Sequence, residues 1–280
     1  MQTKVLILGS TGLLGSAFKH VSKAYNLKFL LPLRDELDLL NQLELEKYIK
    51  SHKPDFVINC AGQNDVKAIE NDIESFELAL RLNAYLPFEL SKLSKEYNFR
   101  LITFSSDYVF DGQKKSYRES DLRNPINRYG LTKSLGEQLA ISLDSNVSIF
   151  RTAWLFGPFK KNFVSFMVNK AIENQEIKVV NDQYGSPTFT IDIAEYILDN
   201  IECHENGVFH LVNDSCVSWY DLTKLSFMIL NLSNIVAKVS SEDFKSIVNR
   251  PLNSCLNSYN ITKLRSLELA LKDYLTNYEL

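Results

Sequence analysis

The sequence predicts an α/β fold built on a doubly wound parallel sheet, and three observations predict it. The chain opens with a short apolar run, Lys4-Val5-Leu6-Ile7-Leu8, that enters a glycine-rich turn and then an amphipathic stretch. Strand-like and helix-like segments alternate along the 280 residues, which implies parallel strands joined by right-handed crossovers. Gly9, Cys60-Ala61-Gly62, Ser105-Ser106 and Thr152 to Trp154 fall at the carboxyl ends of four separate predicted strands. Open α/β sheets bind ligand at those ends.

The first strand is short, apolar and β-branched, as a strand buried on both faces should be. It ends at Gly9-Ser10-Thr11-Gly12-Leu13-Leu14-Gly15, and Leu14, Phe18 and Val21 then share one side of the first helix. Strand, glycine turn and helix in that order form a dinucleotide fingerprint, here spaced G-x-x-G-x-x-G. Gly9 allows the tight turn, and Gly12 lets the backbone approach a pyrophosphate on the helix N-terminus. Gly15 permits close helix–strand packing. Further strands are predicted near 28–32, 55–60, 100–105 and 146–151. Helices are predicted near 13–24, 42–52, 74–97, 129–143, 162–174, 190–201 and 219–231. Arg34 follows the second strand, where a guanidinium can pair with a 2′-phosphate; a solvated loop charge is an equal reading. Asn83 and Pro87 on the long helix read as structural. His210, in an apolar run, reads as a packed core histidine.

The strongest chemical signal is Tyr129 with Lys133. Four residues apart, the two project from one helix face. A phenol titrates near ~10 and needs a cationic neighbour to trade a proton near neutrality. A hydroxyl from Ser106, at an upstream strand end, can hold a carbonyl oxygen beside that phenol. Ser106, Tyr129 and Lys133 are therefore the candidate catalytic residues for carbonyl/alcohol chemistry.

Five segments in order carry a family resemblance: Ser106-Asp107-Tyr108-Val109-Phe110-Asp111-Gly112, Phe150 to Gly157, Val180 to Thr188, Phe209-His210-Leu211-Val212 with Ser218 to Asp221, and Arg250 to Ser254. Together with Gly9–Gly15 and the Tyr129/Lys133 pair, they resemble the dTDP-4-dehydrorhamnose reductase family of the extended short-chain dehydrogenase/reductase superfamily. The resemblance covers residues 1 to about 258. It departs from the family pattern in three places. Ser106 stands where the family usually has Thr. Gln63-Asn64-Asp65-Val66-Lys67 replaces a segment usually written A-Y-T-x-V-D, so that Lys67 stands where an acid is expected. The tail from Tyr259 to Leu280 carries little signature.

The resemblance implies a Rossmann-type dinucleotide-binding domain over 1–155 and 187–212. It also implies a smaller, interleaved C-terminal substrate-binding lobe over 156–186 and 213–280. It implies NADPH (or NADH) as cofactor, held by Gly9, Thr11, Gly12, Leu13, Leu14, Gly15, Arg34, Asp38, Leu39, Cys60, Ala61, Gly62, Ser105, Tyr129 and Lys133. Substrate contacts fall to Ser106, Tyr108, Tyr129 and Trp154. The implied activity is reduction of the 4-keto group of a nucleotide-linked 6-deoxy sugar, dTDP-4-dehydrorhamnose to dTDP-L-rhamnose, for surface polysaccharide precursors. A nucleotide-sugar dehydratase or epimerase is the first alternative. A dehydratase places a carboxylate base two residues after the Ser/Thr, and here that position is Tyr108. A non-catalytic dinucleotide-binding regulatory subunit is the second alternative, and Ser106, Tyr129 and Lys133 together argue against it.

Composition sets outer bounds. The chain is 45% hydrophobic, enough for a sizeable core and two lobes. A net charge of −3 argues against nucleic acid as a partner. The four cysteines, Cys60, Cys203, Cys216 and Cys255, form no C-x-x-C pair, so neither disulfides nor zinc are expected. No metal-ligand set is recognisable. No apolar run reaches 18 residues, and the N-terminus is itself the first strand. The expectation is a cytoplasmic enzyme, not bound to membrane, acting on a nucleotide sugar, with a homodimer as one possible assembly.

Overall fold

A computed structural model describes residues 2–143, 146–243 and 246–279. Its centre is a six-stranded sheet, all strands parallel. The first five strands are β1 (Lys4–Leu8), β2 (Lys28–Leu30), β3 (Phe56–Asn59), β4 (Arg100–Ser106) and β5 (Val147–Thr152). Short strands β6 (Leu155–Phe156), β7 (Ile177–Val180), β8 (Tyr184–Gly185) and β9 (Thr188–Phe189) follow, and β10 (Gly207–His210) returns to the sheet. The spatial order is β10-β5-β4-β3-β1-β2.

Side-chain alternation along β1 explains the layers. Val5 and Ile7 face one side with Ile58, Ile102 and Phe150. There they meet α1 (Leu13–Val21), through Leu14, Phe18 and Val21. Leu6 and Leu8 face the other side with Val57, Leu101 and Ile149. That side is covered by α2 (Gln42–His52), and by Leu86, Leu90 and Leu93 from the long helical stretch that the sequence placed at 74–97. A strand buried on both faces must be apolar throughout, which is why β1 and β3 read as unbroken apolar runs.

The predicted 74–97 helix is not continuous. After α3 (Val66–Asn71), α4 (Ile73–Ala79) gives way to a π-helical turn at Leu80–Tyr85 before α5 (Leu86–Tyr97). Pro87 has no N–H for the carbonyl of Asn83, so the regular ladder fails at that point. Helices α6 (Arg128–Ile141), α7 (Phe163–Ile172) and α8 (Thr190–Asp199) lie close to their predicted bounds.

Four small ladders decorate the sheet. β6 pairs with β9, β8 with β12 (Val217–Ser218), β7 with β13 (Val236–Val239), and β11 (Asn213–Asp214) with β14 (Leu264–Ser266). Helix α9 (Trp219–Ile229) packs beside α7, whereas α10 (Leu267–Asn277) joins the core through Ala270, Leu271 and Tyr274. The tail that carried little signature is thus a structural part of the fold.

One expectation is corrected. Cys216 and Cys255 are bonded as a disulfide, with Cα atoms 5.4 Å apart. Their separation of 39 residues formed no local motif. The pairing arises because β12 and the segment after Arg250 both pack against β8. Cys60 and Cys203 are free thiols.

Candidate active site

The glycine turn frames a cavity of about 580 Å³ at the carboxyl ends of β1, β2 and β3. Gly9, Thr11, Gly12, Arg34, Asp38, Leu39, Cys60, Ala61 and Gly62 line it, nine of the residues expected to hold a cofactor. The glycines serve different ends. Gly9 has φ +76°, and a Cβ there would fall within 3 Å of the Cys60–Ala61 backbone. A Cβ on Gly15 would lie 2.1 Å from the Gly9 carbonyl oxygen, so Gly15 lets α1 seat against the turn. A Cβ on Gly12 would meet only Gly9 O, at 3.4 Å, with open space elsewhere. That open cradle at a helix N-terminus suits a pyrophosphate. Leu14 is buried in the core, and neither it, Leu13 nor Gly15 lines the cavity.

The proton-handling residues stand beside this cavity. Ser106 closes β4, and Asp107–Val109 forms a single 3₁₀ turn behind it. Asn127 caps α6, accepting from Gly130 N at 2.8 Å, while its amide donates to the Asn249 carbonyl at 2.8 Å. Gly130 allows α6 to press on the 3₁₀ turn, since a Cβ there would lie 2.1 Å from Tyr108 O. The rings of Tyr108 and Tyr129 meet edge to face at 5.8 Å. Lys133 donates to the Phe104 carbonyl at 3.1 Å, and its Nζ would stand 3.4 Å from a Cβ on Gly62. The Tyr129–Lys133 helix therefore abuts the glycine-lined cavity.

Burial governs the electrostatics. It pushes the Tyr129 phenol well above its ordinary value, with the Ser106 hydroxyl opposing and the Asp107 charge adding to the rise. Burial also pulls Lys133 down to about 8, against the pull of Glu137. The expected lowering of Tyr129 by Lys133 is not among the effects acting on the phenol. The ammonium instead points at a backbone carbonyl, and the phenol is held as a proton donor.

Two supporting groups escaped the sequence reading. Glu137, one turn after Lys133, accepts from Arg151 of β5 at 2.8 Å (Nε) and 2.7 Å (Nη2), a bidentate pair that pins α6 to the sheet. Asn83, in the π-helical turn, donates to Gln63 O at 2.8 Å and Thr132 Oγ1 at 3.0 Å, and accepts from Gln63 N at 2.9 Å. It fixes the Gly62–Gln63 strand end to α6. A π-bulge is the signal that pointed there, and such bulges recur at functional sites.

A second cavity, about 520 Å³, opens on the opposite side. Phe163, Phe166, Met167 and Trp219 give it apolar walls, and Lys67 and Arg250 give it cations. Arg250 reaches the Tyr108 side chain. Trp154 does not line this cavity. Its indole lies behind Trp219, ring centres 3.4 Å apart and planes 2° apart.

A parallel sheet with a glycine-cradled cavity and a buried tyrosine–lysine helix beside it defines the class: a Rossmann-fold oxidoreductase of the short-chain dehydrogenase/reductase type. Comparison with known proteins narrows it. The family model described as RmlD substrate binding domain matches residues 3–279. A dTDP-4-dehydrorhamnose reductase of Aggregatibacter actinomycetemcomitans is 32% identical over 276 residues, covering 94% of this chain and 92% of that protein. A dTDP-4-keto-6-deoxy-D-glucose reductase of Streptomyces niveus is 33% identical over 232 residues, covering 82% and 80%. The crystal structure of dTDP-4-dehydrorhamnose reductase from Bacillus anthracis in complex with NADP superposes with a TM-score of 0.94 at 29% identity, covering 99% and 100%. The chain belongs to the dTDP-4-dehydrorhamnose reductase family.

Proposed function

We propose that the protein uses NADPH to reduce the 4-keto group of a dTDP-linked 6-deoxy sugar, dTDP-4-dehydrorhamnose, in the formation of dTDP-rhamnose. One observation carries this reading. Tyr129 and its helix are bracketed by two cavities, a glycine-lined one reached at Gly62 and a cationic, aromatic one reached through Arg250 and Tyr108.

The residues present fit a dinucleotide: the open cradle at Gly12 suits its pyrophosphate, and Arg34 on the cavity rim suits a 2′-phosphate. NADPH, when bound, supplies the hydride that reduces the sugar carbonyl. Tyr129 donates its phenolic proton to the C4 oxygen as that oxygen gains negative charge. Burial keeps the phenol protonated until then. Lys133 steadies the Gly62 edge of the cofactor cavity with its positive charge. Ser106 orders the polar contacts around the phenol. In the second cavity, Trp219 and Phe163 offer flat apolar surfaces to a pyrimidine or deoxy sugar, and Lys67 and Arg250 offer cations to the diphosphate. Lys67 replaces an acid of the family pattern, which strengthens the attraction for a doubly charged linker.

The reading places residues 1–155 and 187–212 in a cofactor-binding unit and 156–186 and 213–280 in a substrate-covering one. It places the enzyme in the cytoplasm, in the supply of surface polysaccharide precursors. Among the described residues no helix is long and apolar enough to cross a membrane.

The test is a panel of nucleotide-linked 4-keto sugars incubated with NADPH and with NADH, read by loss of cofactor absorbance. Oxidation with dTDP-4-dehydrorhamnose and NADPH is expected. Cofactor oxidation by none of the panel would overturn the reading.

A further inference from the structure

Asp107 sits beside the catalytic serine, yet the reductase chemistry above gives it no task. It is only 2% exposed. Among the described residues no lysine, arginine or histidine forms an ion pair with it. Two serine hydroxyls donate to its carboxylate instead: Ser106 to Oδ1 at 2.8 Å, and Ser254 to Oδ2 at 2.5 Å. Ser254 comes from 147 residues further along the chain and is itself 1% exposed. A buried carboxylate without a cation is costly to keep, so it needs a reason.

Hydrogen-bond capacity at Ser106 supplies one. A serine hydroxyl has one proton to give and two lone pairs to receive with. The proton of Ser106 goes to Asp107, and one lone pair accepts from Tyr108 N at 3.2 Å. What remains is a single lone pair, on the hydroxyl that faces the Tyr129 phenol. Ser106 can therefore accept from Tyr129 but has no proton left for it.

We propose that Asp107, anchored by Ser254, is a positioning residue that keeps Tyr129 in its proton-donating form. By taking the only proton of Ser106 it turns that serine into an acceptor for the phenol, and its own charge opposes a phenolate nearby. The proposal rests on the reductase reading for its purpose, but the arrangement of protons can be measured without substrate.

The charged and titratable groups around this pair are few. Tyr108 lies on the same 3₁₀ turn, and burial pushes it up to about 12. Tyr129 faces it from α6. Lys133, on the same helix, donates away from it, to Phe104 O. From the segment after α9, Arg250 reaches Tyr108 and Ser254 reaches Asp107. From β8 only the Tyr184 carbonyl approaches, at 3.4 Å from Ser254 Oγ. Asp107 itself is pushed up to about 6 by burial, against the two serine hydroxyls, so it is charged at pH 7 and above.

Asp107→Asn tests the proposal. An amide in that place donates to Ser106 Oγ, which turns the serine proton toward Tyr129 and removes the opposing charge. Both changes favour the phenolate. The alkaline limb of the kcat profile is expected to move to lower pH by about one unit, a tenfold change in the titration. The NADPH dissociation constant should stay within about twofold, as should KM on the acid plateau. Ultraviolet titration of the phenol, taken as the difference from Tyr129→Phe, should show the same shift with no substrate present. Ser254→Ala gives a second route should the Asn variant fail to fold, with a smaller shift in the same direction. An unchanged or upward-moving titration in the variants, with or without a lower melting temperature, would overturn the proposal. Failure of the wild type to turn over any keto sugar would overturn the reductase reading instead and leave the ultraviolet titration to decide this one.

Discussion

The indole of Trp154 lies flat against that of Trp219, with ring centres 3.4 Å apart. Trp154 holds a left-handed backbone, φ +47°, and its ring also fills the space that a side chain on Gly185 would need. It is the inner member of a stack whose outer member, Trp219, lines the second cavity. Trp219→Ala is expected to raise KM for the nucleotide sugar about tenfold, since truncating a buried aromatic contact commonly costs about 1 kcal/mol or more. Trp154→Ala is expected to lower the melting temperature by several degrees and to raise KM less. Melting curves beside steady-state kinetics separate the two. A larger KM effect at Trp154 with unchanged stability would reverse their order.

Tyr129→Phe is expected to lower kcat by about 10²–10⁴, the usual share of general acid catalysis. Cofactor affinity should be nearly unchanged, because the ring remains. Single-turnover kinetics with fluorescence titration of NADPH checks both halves, and near-normal turnover would remove Tyr129 from the mechanism.

The two outer glycines of the turn make opposite predictions. Gly12→Val fills an open cradle, so the chain should fold and lose dinucleotide binding. Gly15→Ala puts a methyl 2.1 Å from a carbonyl oxygen, so the turn itself should be disrupted and the melting temperature should fall. Circular dichroism and NADPH titration of both variants test the contrast.

Much of this site was legible in the sequence, and what escaped has physical causes. Gly9, Gly12, Tyr129 and Lys133 were readable because local spacing alone sets their geometry. The sixth strand, β10, escaped the list of strands because it is short and pairs with β5 across a wide gap in sequence. The Cys216–Cys255 bond and the Asp107–Ser254 contact join residues 39 and 147 apart, and no local pattern encodes such meetings. The direction of the electrostatic effect on Tyr129 was misjudged from spacing, because burial outweighs any charge along the helix. Trp154 was read as a substrate contact from its strand-end position; the stacked Trp219 that covers it was not visible in one dimension.

His210 makes a prediction about acid stability. It is fully buried, its Nδ1 lies 3.0 Å from Asn257 O, and its Nε2 lies 3.3 Å from Arg151 Nη1. That pairing suits the neutral ring, with Nδ1–H donating and Nε2 accepting. Burial, then the Arg151 charge, hold its pKa below the ordinary 6.5. The unfolded chain thus binds more protons than the folded one as pH falls through about 6.5, and stability is lost in that direction. His210→Gln, whose amide can make both bonds without titrating, is expected to flatten the melting-temperature profile between pH 6.5 and 5. An equally steep profile in the variant would assign the acid loss to other groups.

Arg34→Ala is expected to weaken NADPH more than NADH, because the guanidinium lines the cofactor cavity where a 2′-phosphate can be bound. Dissociation constants for both cofactors decide it. An equal effect on the two would leave Arg34 as a solvated charge.

The central claim is that this chain reduces a sugar ketone at C4, and isotope transfer tests it most directly. The protein is incubated with dTDP-4-dehydrorhamnose and NADPH deuterated at nicotinamide C4, and the sugar product is analysed by NMR and mass spectrometry. One deuterium at C4 of a dTDP-linked 6-deoxyhexose, formed by the wild type and not by Tyr129→Phe, is the expected result. Unconsumed NADPH, or deuterium at a carbon other than C4, would contradict it.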